Sequence, residues 1–349
     1  MNSCGTVIPQ SVQNAFGVSV LAATKIGGGF SGADVFRATT GDGRTLAIRC
    51  IRNSLAQPVQ RMTEFRNLMS HVSRLGCEVI AVPLLPVLSS NMANTPWFDD
   101  QENIWQVELW MPGICRQGQD VTPSHLQSGL MTLDRFHRLA AASVPKIGAS
   151  DWFQNTVSQS LAVQRRLSIV RELQNGVLGL LRRKLGDDCD QEFGEPAMRV
   201  CKCLERWLPW LNKELTALAA IPFSLQPVLR DIWRAHVLFS DDQVTGLIDL
   251  SAAATDHVTL DVTRLLRSWY GSDVGRIQNA VREYQALRLL KADECRLLRA
   301  LDAATVLLSP VTWLRRRSQS GLNVECGGDI IARFTELANV ASDFSLLTW

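Results

Sequence analysis

The chain has 349 residues, more than one compact core of usual size holds, so two domains or lobes are expected. Hydrophobic residues make up 46% and charged residues 20%, which excludes wholesale disorder. A formal charge of +2 is nearly neutral and does not point to a nucleic-acid partner.

The first ten residues, MNSCGTVIPQ, carry no basic segment and no long apolar core, so they do not read as a signal peptide. The apolar runs at 18–23 and 303–310 are too short to span a bilayer. Nine scattered cysteines include no C-x₂-C pair and read as buried or idle thiols. Together these features predict a cytoplasmic protein with no membrane partner.

Residues 8–16 predict a short helix, and 21–37 predict strand, glycine-rich turn, strand. That turn holds Gly27, Gly28, Gly29, Phe30, Ser31 and Gly32. Its glycines supply the positive φ angles and close backbone approach that a turn over phosphates needs, and a tight hairpin is the other reading of such a loop. The strand DVFRATT turns at Asp42-Gly43 into the strand TLAIRCI. From 58 to 75, Val59, Met62, Phe65, Leu68, Met69, Val72 and Leu75 recur at helical spacing. Residues 79–90 and 104–113 read as strands. Residues 1–110 therefore predict an α+β lobe with an antiparallel sheet. Residues 111–349 predict a mainly helical lobe, with helices at 123–143, 151–184, 193–219 and from 261 onward. A small hairpin, VLF to VTGLID, interrupts it at Ser240-Asp241-Asp242.

The most informative stretch is 228–250, VLRDIWRAHVLFSDDQVTGLIDL. Asp231 ends one segment, His236 follows five residues later, and Asp249 closes the hairpin. This spacing is similar to the phosphate-transfer core of kinase-like folds. The loop Leu229-Arg230-Asp231-Ile232-Trp233-Arg234-Ala235-His236 and the motif Asp249-Leu250-Ser251 resemble those of the aminoglycoside phosphotransferase and choline kinase group of the protein-kinase-like fold. So do Val107-Glu108-Leu109-Trp110-Met111-Pro112-Gly113, as a strand between lobes, and Leu133-Asp134-Arg135-Phe136-His137, as a helix preceding the loop. Leu260-Asp261-Val262-Thr263-Arg264-Leu265-Leu266 resembles the segment after the second motif. The matches run in order over most of residues 20–275.

The resemblance implies a two-lobed fold, with ATP between the lobes and transfer of the γ-phosphate to a hydroxyl of a small metabolite or antibiotic. It implies Asp231 as the base, Asp249 and His236 as Mg²⁺ ligands, and residues 27–32 as the phosphate cover. Arg49 stands where the group places Lys, and no Lys occurs from 27 to 145. Arginine can grip phosphate with a bidentate fork, or Arg49 can be a solvent-facing strand residue. Glu64 is either the ion-pair partner of Arg49 or part of a solvated helix face. Imidazole is a poor Mg²⁺ ligand, so His236 can instead hydrogen-bond Asp231 or a substrate. The group's usual His residues are Leu229 and Trp233 here, and its Asn is His236. These departures leave a second reading, a pseudokinase-like nucleotide-binding or scaffold module. The runs Arg165-Arg166, Arg182-Arg183-Lys184 and Arg315-Arg316-Arg317 read as solvated helix faces. The acceptor and the oligomeric state stay open.

Overall fold

The computed structural model describes residues 8–26, 33–52, 58–87, 95–148, 150–188, 191–319 and 328–347. The glycine-rich turn at 27–32 lies outside the described residues. In chain order the elements are α1 (Gln10–Phe16), β1 (Val20–Ile26), β2 (Asp34–Thr40), β3 (Thr45–Arg52), α2 (Val59–Arg74), β4 (Phe98–Asp99), β5 (Asn103–Leu109) and β6 (Ile114–Cys115). There follow α3 (Pro123–Ile147), β7 (Thr156–Ser158), α4 (Leu161–Glu172), α5 (Leu178–Asp188), α6 (Gln191–Ala219) and β8 (Phe223–Val228). The last are β9 (Val237–Ser240), β10 (Gln243–Leu247), β11 (Ala254–Asp256), α7 (Thr259–Tyr270), α8 (Val274–Leu287), α9 (Ala292–Gln319) and α10 (Gly328–Ser342). They divide into two compact units. The first takes Met1–Cys115, Arg135–Gln154 and Ala235–Ala253; the second takes Arg116–Asp134, Asn155–Arg234 and Ala254–Trp349.

The first unit is built on an antiparallel sheet of order β1-β2-β3-β5-β4. Side chains alternate faces along a strand. Phe36, Ile48 and Val107 lie in register across β2, β3 and β5 and are all buried. They pack with Val12 and Phe16 of α1. The opposite face carries Arg49 and, two pairs along, Ala47 opposite Glu108. Helix α2 buries Met62, Phe65, Leu68, Met69 and Val72, the expected apolar stripe. Val59 and Leu75 of that pattern lie at its ends and are exposed. A second sheet of order β10-β9-β6 completes the unit.

Of the strand expected at 79–90, residues 79–87 are described, and they form no strand. Among the described ones only isolated bridges occur, Ile80 to Leu247 and Pro83 to Glu108. Pro83 and Pro86 offer no N–H to a ladder, so an apolar run here cannot propagate as sheet.

The second unit packs helices around Val163, Val170, Leu204, Leu211, Leu301 and Phe334, beside the sheet β11-β8-β7. The expected helix at 151–184 is shorter and interrupted. It starts at Leu161, where the Ser160 side chain caps Val163 N, and it breaks at Gly176, whose φ is +107°. Within α9, residues Ala292–Arg316 are long and apolar enough to cross a membrane, but 72% of that window is buried in the core.

Candidate active site

In the first unit, three of the sequence-predicted residues come together. Arg49 Nη2 lies 2.8 Å from Asp249 Oδ1, and His236 Nε2 lies 3.6 Å from Asp249 Oδ2. Two backbone relations bring this about. Ile248 N donates to His236 O at 3.1 Å, which sets the residue before β9 beside the residue after β10. Asp249 then turns out of the strand with φ +55°, a left-handed conformation that is costly for a side-chain-bearing residue. Arg61 of α2 holds the following segment, donating from Nη2 to Ser251 O at 2.9 Å and Ala253 O at 3.0 Å.

Burial alone would raise the Asp249 pKa. The Arg49 charge, and then that of His236, outweigh it and hold the carboxyl below its ordinary range. Glu108 behaves oppositely. Burial pushes it up to about 7, Arg49 opposes the shift, and the Asp249 charge adds to it. Arg49 thus pairs with one ionised carboxylate, Asp249, and feels the charge of a second, Glu108, whose pKa is pushed up to about 7.

Glu64 is not the partner of Arg49. Its carboxylate accepts from Gln60 Nε2 at 2.9 Å and from Ser150 Oγ. The guanidinium meets Asp249, 200 residues later in the chain, instead. Glu108 and Arg61 are site residues that the sequence did not expose, because both depend on which distant segments pair.

In the second unit, Asp231 follows β8 on a loop fixed by Asp261. The Asp261 carboxylate accepts Leu229 N at Oδ2 and Arg230 N at Oδ1, both at 2.7 Å. Arg230 is thereby held with φ +66°. The Asp231 carboxylate, 46% exposed, pairs with Arg264 one turn further along α7. Trp233 lies under two guanidinium groups, Arg333 at 4.7 Å and Arg234 at 5.7 Å from its ring centre. Both arginines bond Glu336 of α10, at 2.5 Å and 2.6 Å. The loop is therefore anchored on both sides of Asp231, and Trp233 is a packing residue of that anchor.

Among curated proteins, none matches the chain by sequence. Solved structures share its fold. An aminoglycoside phosphotransferase from Alicyclobacillus acidocaldarius is 16% identical, with a TM-score of 0.58 over 98% of this chain and 94% of that one. Spectinomycin phosphotransferase APH(9)-Ia, in complex with ADP and spectinomycin, is 12% identical, with a TM-score of 0.64 over 95% of each chain. Amicoumacin kinase hAmiN, in complex with AMP-PNP, Ca²⁺ and Ami, is 12% identical, with a TM-score of 0.63 over 97% and 93%. The α+β kinase-like fold expected from the sequence is the fold found, with its antiparallel sheet in the N-terminal part and a mainly helical remainder. A profile of the phosphotransferase enzyme family (APH) matches residues 22–298, more than three quarters of the sequence. The chain belongs to that family.

Proposed function

We propose that the chain is an ATP- and Mg²⁺-dependent phosphotransferase that moves the γ-phosphate to a hydroxyl of a small metabolite or antibiotic. The observation that carries this reading is the Arg49–Asp249–His236 assembly, built around a backbone-strained carboxylate that is held ionised. Strain and shifted pKa values of this kind concentrate at functional sites. The nucleotides and small antibiotics bound by the structural neighbours support the same reading.

Residues 1–110 hold the nucleotide, with 27–32 covering its phosphates. Residues 111–349 hold the catalytic loop and the acceptor. Arg49 binds phosphate oxygens, because its planar fork carries N–H donors beyond the Nη2 that meets Asp249. His236 positions Asp249 through the 3.6 Å contact and leaves ion binding to the carboxylate. Asp231 takes the acceptor proton. The hydroxyl oxygen bonds to the γ-phosphorus, the bond from that phosphorus to the bridging oxygen breaks, and the proton passes to the Asp231 carboxylate.

The residues present fit Mg²⁺. Asp249 supplies an ionised oxygen donor, and Mg²⁺ is usually held by one or two carboxylates with water and substrate phosphates completing its shell. Among the described residues no group of three His, Cys, Asp or Glu side chains surrounds a metal position, consistent with that open mode. When bound, the ion would neutralise charge on the phosphates.

One observation favours a nucleotide-binding module without transfer: Arg49 replaces the usual Lys and is already engaged with Asp249. Incubating the protein with ATP, Mg²⁺ and a panel of hydroxylated acceptors, followed by ³¹P NMR, separates the two readings. Phosphorylated acceptor, abolished in Asp231→Asn with the fold intact, is the expected result. Equal turnover in Asp231→Asn would remove the base assignment, and no product with any acceptor would favour the binding module.

A further inference from the structure

The second unit gathers arginines around the catalytic loop. Ser160 Oγ donates to Asp256 Oδ1 at 2.6 Å, and Ala162 N donates to Asp256 Oδ2 at 2.8 Å. These bonds pin the start of α4 to β11, and β11 pairs with β8, with Ala254 opposite Val228. The chain leaving β8 reaches Arg230 and Asp231, which Asp261 and Arg264 of α7 hold. Arg165 and Arg166, one turn into α4, are thus tied to the same corner as Arg230 and Arg264.

The carboxylates at this corner are already engaged. Asp256 accepts Ser160 Oγ, Ala162 N and His257 N. Asp261 accepts the two loop amides, and Asp231 pairs with Arg264. Among the described residues, Arg165, Arg166 and Arg230 form no salt bridge. Arg166 is half-buried and bonds only the Ala162 carbonyl, at 3.2 Å. Arg264 Nε is buried with no hydrogen-bond partner. Burial, the charges of Arg264 and then those of Arg230 and Arg165 together lower the Arg166 pKa to about 10, against the pull of Asp256. Like charges crowded in this way are unfavourable unless an anion joins them.

We propose that Arg165, Arg166 and Arg230 bind an anionic group, a phosphate or a carboxylate, on the acceptor whose hydroxyl Asp231 deprotonates. The acceptor class is then a phosphorylated or carboxylated hydroxy compound. A polycationic aminocyclitol meets the wrong charge here. The assignment of this anion to an acceptor rests on the phosphotransferase reading. The anion site itself does not.

The test uses the full chain at low salt without nucleotide, titrated with inorganic phosphate and separately with acetate, to tell the two anion types apart. Saturable binding of at least one is expected. Arg166→Gln should weaken it about tenfold or more, the effect of losing a charge-assisted hydrogen bond. Arg165→Gln, on an exposed side chain whose loss leaves the core untouched, should weaken it in the same direction. Arg282→Gln on α8 is the control and should leave it unchanged. No saturable binding of either anion, equal weakening by the control, or loss in Arg49→Gln instead of the α4 variants would overturn the proposal. ATP binding measured alongside keeps the failures apart. A phosphate site without ATP binding would uphold the anion site and overturn the phosphotransferase reading. ATP binding without a phosphate site would overturn this inference alone.

Discussion

Arg49 and Asp249 form an ion pair of 2.8 Å between the middle of β3 and the residue that leaves β10 in a left-handed turn. The pair joins Arg49, which the sequence left open between phosphate and solvent, to a carboxylate that the family resemblance offers as a metal ligand. It also defines how the site responds to acid. Asp249 titrates below its ordinary value in the folded chain, so its contribution to stability is present above about pH 4 and is lost as the pH falls through the lowered value. Asp249 is 40% exposed, which screens the pair. Arg49→Gln should therefore cost only about 1 kcal/mol at pH 7, with the difference from the native chain shrinking toward pH 3. Urea midpoints across that range check it. A deficit that grows as the pH falls would show that the pair is not its source.

Glu108 gives the opposite pH dependence. Its folded-state value near 7 lies above the ordinary 4.5, because burial dominates, with Arg49 opposing and Asp249 adding. Its contribution is full below about pH 4 and is lost as the pH rises through 7. Glu108→Gln should be neutral at pH 4 and stabilising at pH 8, by on the order of 1–3 kcal/mol. Denaturation at the two pH values decides. A variant less stable at pH 8 than the native chain would contradict the assignment.

Asp261 is fully buried and accepts two loop amides. Asp261→Ala leaves both N–H groups without their partner, at a cost of about 2–5 kcal/mol. Asp261→Asn keeps a single acceptor oxygen and should lie between, with turnover falling more than its stability because Arg230 and Asp231 lose their fixed backbone. Thermal unfolding and turnover of the two variants test the order.

Gly113 has φ +104°, and a Cβ there would stand 2.7 Å from Phe239 O on β9. The obstacle is backbone and cannot swing away. Gly113→Ala should cost about 1–3 kcal/mol. Chemical denaturation measures this, and a neutral substitution would show that the segment after β5 relaxes freely.

Much of the first unit was legible because β-strand alternation is local. Leu46 and Ile48 point to the core and Arg49 to the other face, as the letters of TLAIRCI alone require. The partner of Arg49 was not legible. Glu64 was the nearest acidic residue in the next helix, but the choice between it and Asp249 depends on how segments 200 residues apart pair. Glu108 faces the same site only because β3 and β5 register Ala47 opposite it. The apolar run at 79–90 misled through its composition, since its prolines outweigh its hydrophobicity. Arg165 and Arg166 read as one solvated face. The structure separates them, exposing Arg165 and half-burying Arg166, because Asp256 pins the first turn of α4.

The measurement that bears most directly on the phosphotransferase reading is ATP binding by calorimetry, with and without Mg²⁺, on the native chain and on Asp249→Ala. Mg²⁺-dependent binding that is lost in the variant is the predicted result. Binding indifferent to both Mg²⁺ and Asp249, or no binding at all, would contradict it.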